Sequence, residues 1–213
     1  MVKVGLSILS CDLEKLLGRL DEIERSGVNM LHIDVMDGNF VPNLTFGPEV
    51  VRLIKGRTKL FLDLHLMVNF PAYFVKDFAE AGADLIVVHA ESQGTRAALQ
   101  EVKNRNKQVG LALKPQTSLL EVEPYIEILD LLLVMTVEPG FGSQPFLPQS
   151  KARIKRAKEM IQQSGQNVIL QVDGGINAET GRIAVASGAD LLVSGSWLFS
   201  GDMKEKVATL KLT

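Results

Sequence analysis

The chain has 213 residues, 46% of them hydrophobic, and its 23 Lys and Arg against 25 Asp and Glu leave a formal charge of -2. A chain this long buries roughly 70% of its unfolded surface, enough for one large core. The near-neutral balance, with no Lys/Arg run and no basic stripe interleaved with aromatics, excludes the electrostatic footprint of a nucleic-acid binder. No apolar run reaches the ~18 residues of a membrane span, and no charged-then-apolar signal segment opens the chain. The lone Cys11 has no intrachain disulfide partner, which suits a reducing compartment. A cytoplasmic protein without a membrane or nucleic-acid partner is therefore expected.

Short apolar runs of strand length fall at 4–9, 30–36, 60–67, 85–89, 109–113, 131–137, 168–172 and 191–193. Segments of helical period lie between them at 12–25, 48–55, 71–81, 95–104, 119–128, 148–163 and 178–187, with a short tail at 202–210. Asn177 is a start signal, and Gly27, Gly82 and Gly188 are stops. The stretches Glu80-Ala81-Gly82-Ala83-Asp84 and Ala186-Ser187-Gly188-Ala189-Asp190 are near-repeats, each a helix end turning through glycine into an apolar strand. Eight such units with no polar linker predict one domain over 1–213, an α/β single-domain (β/α)8 TIM barrel. A doubly wound open sheet is the runner-up. It places its glycine-rich loop after the first strand, whereas Gly140, Gly142, Gly174, Gly175 and Gly195 follow strands six, seven and eight.

In the second strand, His32, Asp34 and Met36 share one face and Leu31, Ile33 and Val35 the other. A polar face in a buried strand demands partners, because an unpaired buried polar group costs roughly 2–7 kcal/mol. In a parallel barrel the strand ends converge on one mouth, so His65 on strand three and Asp173 on strand seven can meet His32 and Asp34 there. Two imidazoles and two carboxylates make a coherent ligand set for one divalent metal ion, with zinc, iron, manganese and cobalt all compatible. Each residue has a plainer reading: a hydrogen-bonded His-x-Asp pair, a satisfied core histidine, a turn-forming Asp173. Their coincidence at one mouth favours a site. Asp63 lies one residue pair deeper and reads as a buried partner, His89 as a supporting residue, and Asp37 as a loop former. Met36, Met67 and Met135 end strands, either as ordinary core or as a hydrophobic wall that keeps water from an anion. The loop carrying Gly140, Phe141, Gly142 and Ser143, with Asp173-Gly174-Gly175 and Gly195-Ser196, forms a phosphate signature, since glycines let backbone N–H groups approach an anion closely.

At these residues the sequence resembles the ribulose-phosphate 3-epimerase family. The matching stretches are Ser7-Ile8-Leu9-Ser10, His32-Ile33-Asp34-Val35-Met36-Asp37-Gly38, Phe40-Val41-Pro42-Asn43, His65-Leu66-Met67, Val88-His89-Ala90-Glu91, Val134-Met135-Thr136-Val137, Pro139-Gly140-Phe141-Gly142 and Val172-Asp173-Gly174-Gly175-Ile176-Asn177. The resemblance implies a barrel isomerase that interconverts ribulose 5-phosphate and xylulose 5-phosphate at C3, with a phosphorylated ketose as small-molecule partner and a homo-oligomeric assembly. It also implies that His32, Asp34, His65 and Asp173 hold the metal and that Asp34 and Asp173 are the catalytic acid/base pair. Ser7, His65, Gly140, Phe141, Gly142, Ser143, Asp173, Gly174, Gly175, Gly195 and Ser196 would contact substrate. The chain departs from the common pattern at Asn39, at Trp197 and in the short segment after strand four. A 3-epimerase of a six-carbon ketose phosphate is the alternative within the family, and a non-catalytic phosphate-binding barrel the alternative outside it.

Overall fold

Eight parallel strands close into a barrel in sequence order: β1 (Lys3–Ser7), β2 (Met30–Met36), β3 (Phe61–Met67), β4 (Leu85–His89), β5 (Gln108–Leu113), β6 (Leu131–Met135), β7 (Ile169–Asp173) and β8 (Leu191–Ser194). The computed structural model describes residues 2–213 and every side chain among them but that of Leu13. The helices are α1 (Leu13–Arg25), α2 (Pro48–Lys55), α3 (Val75–Ala81), α4 (Thr95–Asn104), α5 (Ser150–Ser164), α6 (Ala178–Ala186), α7 (Ser196–Phe199) and α8 (Met203–Lys211). The sheet closes through β1 pairing with β8, which removes the open-sheet alternative.

Period-two alternation sorts each strand between two cores. Leu31, Ile33 and Val35 of β2 and Leu62, Leu64 and Leu66 of β3 join the layer between sheet and helices. Inside the barrel, Leu85, Val87, Leu131 and Leu133 form one apolar cluster, and Met30, Leu191 and Val193 another. These fillings make the lower barrel a packed core and leave the polar residues at the upper end.

The lower rim repeats one device four times. Asn29, Asp84, Asp130 and Asp190 stand immediately before β2, β4, β6 and β8. Their side chains accept the backbone N–H of Val4, Leu62, Val109 and Leu170 respectively, the second residue of the preceding strand. Each also donates its own N–H to that residue's carbonyl. The near-repeats seen in the sequence carry an added cation: Lys55 pairs with Asp84 at 2.6 Å and Lys158 with Asp190 at 2.7 Å.

Several boundaries differ from the sequence expectation. The helix expected at 119–128 is two 3-10 turns, Leu119–Val122 and Ile126–Ile128. Pro124 has no N–H to donate, so an α-ladder cannot run through it. The first strand stops at Ser7, whose hydroxyl caps a 3-10 turn over Ile8–Ser10, and the sixth stops at Met135. Pro71–Tyr73 is a separate 3-10 turn ahead of α3. Asn177 opens α6 with a capping box closed by Thr180, as its start signal suggested.

Candidate active site

The register of β2 against β3 sets His32 beside Asp63, Asp34 beside His65 and Met36 beside Met67, three layers rising toward the mouth. In the lowest layer, Asp63 Oδ2 lies 2.7 Å from His32 Nδ1 and accepts Gln171 Nε2 at 2.5 Å. An ionised carboxylate can only accept, so His32 carries its proton on Nδ1 and presents Nε2 upward. Nε2 is buried with no hydrogen-bond partner among the described residues. It lies 3.2 Å from Asp34 Oδ1 and 3.8 Å from Asp173 Oδ2.

Asp34, only 2% exposed, sits at the centre. Its Oδ2 accepts the Ser7 hydroxyl at 2.9 Å, and its Oδ1 is 3.0 Å from His65 Nδ1. One ligand atom from each of His32, Asp34, His65 and Asp173 falls within 4.8 Å of all the others. An orphaned imidazole nitrogen and converging carboxylate oxygens are the donor set that a divalent cation satisfies. These residues fit such an ion.

The carboxylates also make the cluster favour positive charge. Burial alone would depress His32, yet the carboxylates of Asp63 and Asp34 lift it well above the usual imidazole range. Burial would raise Asp34, but the positive charge favoured at neighbouring His32 holds it well below the usual carboxylate range. Burial, reinforced by the charge of Asp34, pushes Asp173 up to about 6. Two carboxylates with affinities driven apart in one cleft are a recurring acid/base arrangement.

Behind His65 runs a chain of polar contacts. His65 Nε2 is 2.8 Å from His89 Nε2, and His89 Nδ1 is 3.0 Å from Glu91 Oε2. Burial lowers His89 to about 4. For Glu91 the desolvation cost is outweighed, chiefly by the His89 hydrogen bond and charge, which lower it to about 2.

Above the carboxylates opens a cavity of about 820 Å³. Asp34 and Asp173 form its floor, with Ser7 beside them and Met36, Met67 and Met135 on the wall. Gly174, Gly175, Gly195 and Ser196 line it too, as do Gly140, Phe141, Gly142 and Ser143. His32 and His65 are fully buried and do not line the cavity. Trp197 does line it, whereas Asn39 is tied into its own turn through Asp37.

Two of these glycines are structurally obligatory. Gly174 has φ +119° and Gly175 φ +65°, and a Cβ on Gly175 would stand 2.5 Å from the Phe146 backbone nitrogen and 2.9 Å from the Gln144 carbonyl. The Gly140 loop is braced from β2's side of the mouth, where Asn43 Nδ2 donates to the Gly140 carbonyl at 3.0 Å.

Of the supporting residues, Asp63 is the buried partner the sequence suggested, and Asp37 accepts the N–H groups of Asn39, Phe40 and Asn69 as a loop former. Gln171 was not anticipated. Its position two residues before Asp173 on an inward-facing alternation was the available signal.

The family model described as "Ribulose-phosphate 3 epimerase family" matches residues 3–199. A ribulose-phosphate 3-epimerase of Bacillus subtilis (strain 168) is 40% identical over 214 residues, covering 99% of each chain. One from Chlamydia muridarum is 41% identical over 216 residues, covering 99% of this chain and 95% of its own. Among solved structures, a 3-keto-L-gulonate-6-phosphate decarboxylase from Vibrio cholerae superposes with a TM-score of 0.75 at 14% identity, covering 100% of this chain and 97% of that one. At that identity it shows the shared barrel alone. The full-length relatives, together with a match running from β1 into α7, establish that this chain belongs to the ribulose-phosphate 3-epimerase family.

Proposed function

We propose that the chain interconverts D-ribulose 5-phosphate and D-xylulose 5-phosphate by inverting C3 through a 2,3-enediolate. The observation that carries this reading is the convergence of Asp34 and Asp173, from strands three steps apart around the ring, on the floor of one cavity. Inversion beside a carbonyl needs a base on one face of a flat intermediate and an acid on the other. A single base would favour retention.

In this scheme Asp34 removes the C3 proton from one epimer and Asp173 delivers a proton to the opposite face, with the roles exchanged in the reverse direction. Ser7 donates to Asp34 Oδ2 and holds the carboxylate in register. His32, Asp34, His65 and Asp173 would hold one divalent cation, and a Lewis acid there stabilises the charge that develops on the substrate oxygens. Zinc, iron, manganese and cobalt all suit this mixed ligand set. The backbone N–H groups of Gly174, Gly175, Gly195 and Ser196 bind the phosphate, in the cavity that the Gly140 to Ser143 loop also lines. Met36, Met67 and Met135 exclude water from the enediolate. Among the described residues no helix is long and apolar enough to cross a membrane. The free Cys11 suits a reducing compartment such as the cytoplasm.

The test is turnover of ribulose 5-phosphate beside a six-carbon ketose 6-phosphate, with the protein loaded in turn with each metal. Preference for the pentose supports the reading; preference for the hexose transfers the same chemistry to the other substrate. Tight binding of both with no epimerisation would leave only a phosphate-binding barrel.

A further inference from the structure

We propose that His89 and Glu91 are positioning residues that fix the tautomer of His65, so that His65 Nδ1 is a lone pair aimed at the cation site. This rests on the reading of His65 as a metal ligand. It concerns residues that touch neither substrate nor metal.

The chain of protons is set from its outer end. Glu91 Oε1 accepts the Lys114 backbone N–H at 2.8 Å and the Thr117 hydroxyl. Those two donors pin the carboxylate and turn Oε2 toward His89 Nδ1, 3.0 Å away. An ionised carboxylate only accepts, so His89 Nδ1 must carry a proton. A neutral imidazole protonated at Nδ1 has its lone pair at Nε2. The neighbour of His89 Nε2 is His65 Nε2 at 2.8 Å, and that atom must therefore be the donor. With a proton held on Nε2 by His89, Nδ1 is the ring nitrogen that His65 can offer to a cation.

That nitrogen lies 3.0 Å from Asp34 Oδ1. Two acceptors facing each other at this distance are favourable only with a cation between them. The same logic operates through Asp63 on His32, whose Nε2 is the orphaned atom. The two ligand histidines are thus oriented from opposite sides, one by a carboxylate directly and the other through a second imidazole. His89 is fully buried and packed against the Phe40 ring at a centroid distance of 4.8 Å. Turning its ring over would set carbon atoms against both Glu91 and His65, losing both contacts. Outer partners that orient metal-binding histidines are worth about 10–100-fold in metal affinity.

The experiment measures Zn²⁺ affinity by chelator competition and the ¹⁵N shifts of the His65 imidazole in the zinc-loaded protein. The proteins are wild type, His89→Leu, His89→Gln, Glu91→Gln and His65→Ala. The expected result is a wild-type His65 protonated at Nε2 and bound through Nδ1, and a loss of about 10–100-fold in zinc affinity for His89→Leu. His89→Gln, whose amide oxygen can accept from His65 Nε2, should recover most of that loss, and Glu91→Gln should fall between. A merely structural role would not show rescue by Gln or a change in the His65 tautomer. Wild-type affinity in both His89→Leu and Glu91→Gln, or zinc bound through His65 Nε2, would overturn the proposal. Should His89→Leu fail to fold, Glu91→Gln and the wild-type shifts still decide. If His65→Ala binds zinc as tightly as wild type, the ligand reading itself fails; if it loses zinc while the His89 and Glu91 variants do not, only the positioning role fails.

Discussion

Replacing Asp34 by Asn changes one oxygen to an amide and leaves the side chain's shape intact. The surviving oxygen can still accept the Ser7 hydroxyl, now 2.9 Å from Oδ2. The new Nδ2 would then face His32 Nε2 and His65 Nδ1, at present 3.2 and 3.0 Å from Oδ1, and would donate where a cation is expected. The fold should survive, because the orphaned His32 nitrogen gains a donor. Catalysis should not, because the amide cannot take a proton. Positioned acid/base groups contribute about 10²–10⁴-fold, or roughly 3–5 kcal/mol of barrier. The loss should appear in kcat, with KM changed less, since the proposed phosphate contacts are backbone N–H groups that the substitution leaves in place. The assay is epimerisation at saturating metal, with bound metal quantified, so that weakened loading is separated from lost proton transfer. A folded, metal-loaded Asp34→Asn protein retaining kcat within about tenfold of wild type would refute the assignment.

At the proposed phosphate site, Gly175→Ala forces a side chain into a φ of +65° and against the Phe146 and Gln144 backbones. A strain of about 1–3 kcal/mol should raise KM and the inhibition constant of inorganic phosphate by tenfold or more, with a smaller effect on kcat. On the lower rim, Asp190→Ala leaves the buried Leu170 N–H without its side-chain acceptor and should cost about 1–3 kcal/mol in urea unfolding. Lys158→Ala removes only the partly exposed ion pair and should cost less than about 1 kcal/mol; equal losses would show that the cation, not the carboxylate, carries the clamp. Glu91 is held at about 2, below its unfolded value, so its stabilisation is complete above the ordinary carboxylate range and fades as pH falls toward 2. Allowing for its partial exposure this is on the order of 2 kcal/mol, and the stability gap between wild type and Glu91→Gln should narrow from pH 7 to pH 3; a constant gap would mean the charge is not responsible.

The polar face of β2 was legible because strand alternation is local. His32, Asp34 and Met36 must share a side whatever surrounds them. Convergence with His65 and Asp173 followed once eight units implied a closed barrel, since closure brings strand ends together independently of their separation in sequence. Depth was legible for one residue: Asp63, read as one residue pair below His65, sits in the lowest layer beside His32. The link from His89 to Glu91 depends on the chain turning back after β4, and the Asp63–Gln171 contact spans the barrel interior; neither leaves a local pattern. The broken helix at 119–128 had a signal in Pro124, outweighed there by the apolar period.

Solvent deuterium at C3 tests the central claim most directly. Incubating the metal-loaded protein with ribulose 5-phosphate in D₂O should place deuterium at C3 of both recovered epimers, and Asp34→Asn and Asp173→Asn should each suppress it. Epimerisation without deuterium at C3, or full exchange in both variants, would contradict proton transfer by the two carboxylates.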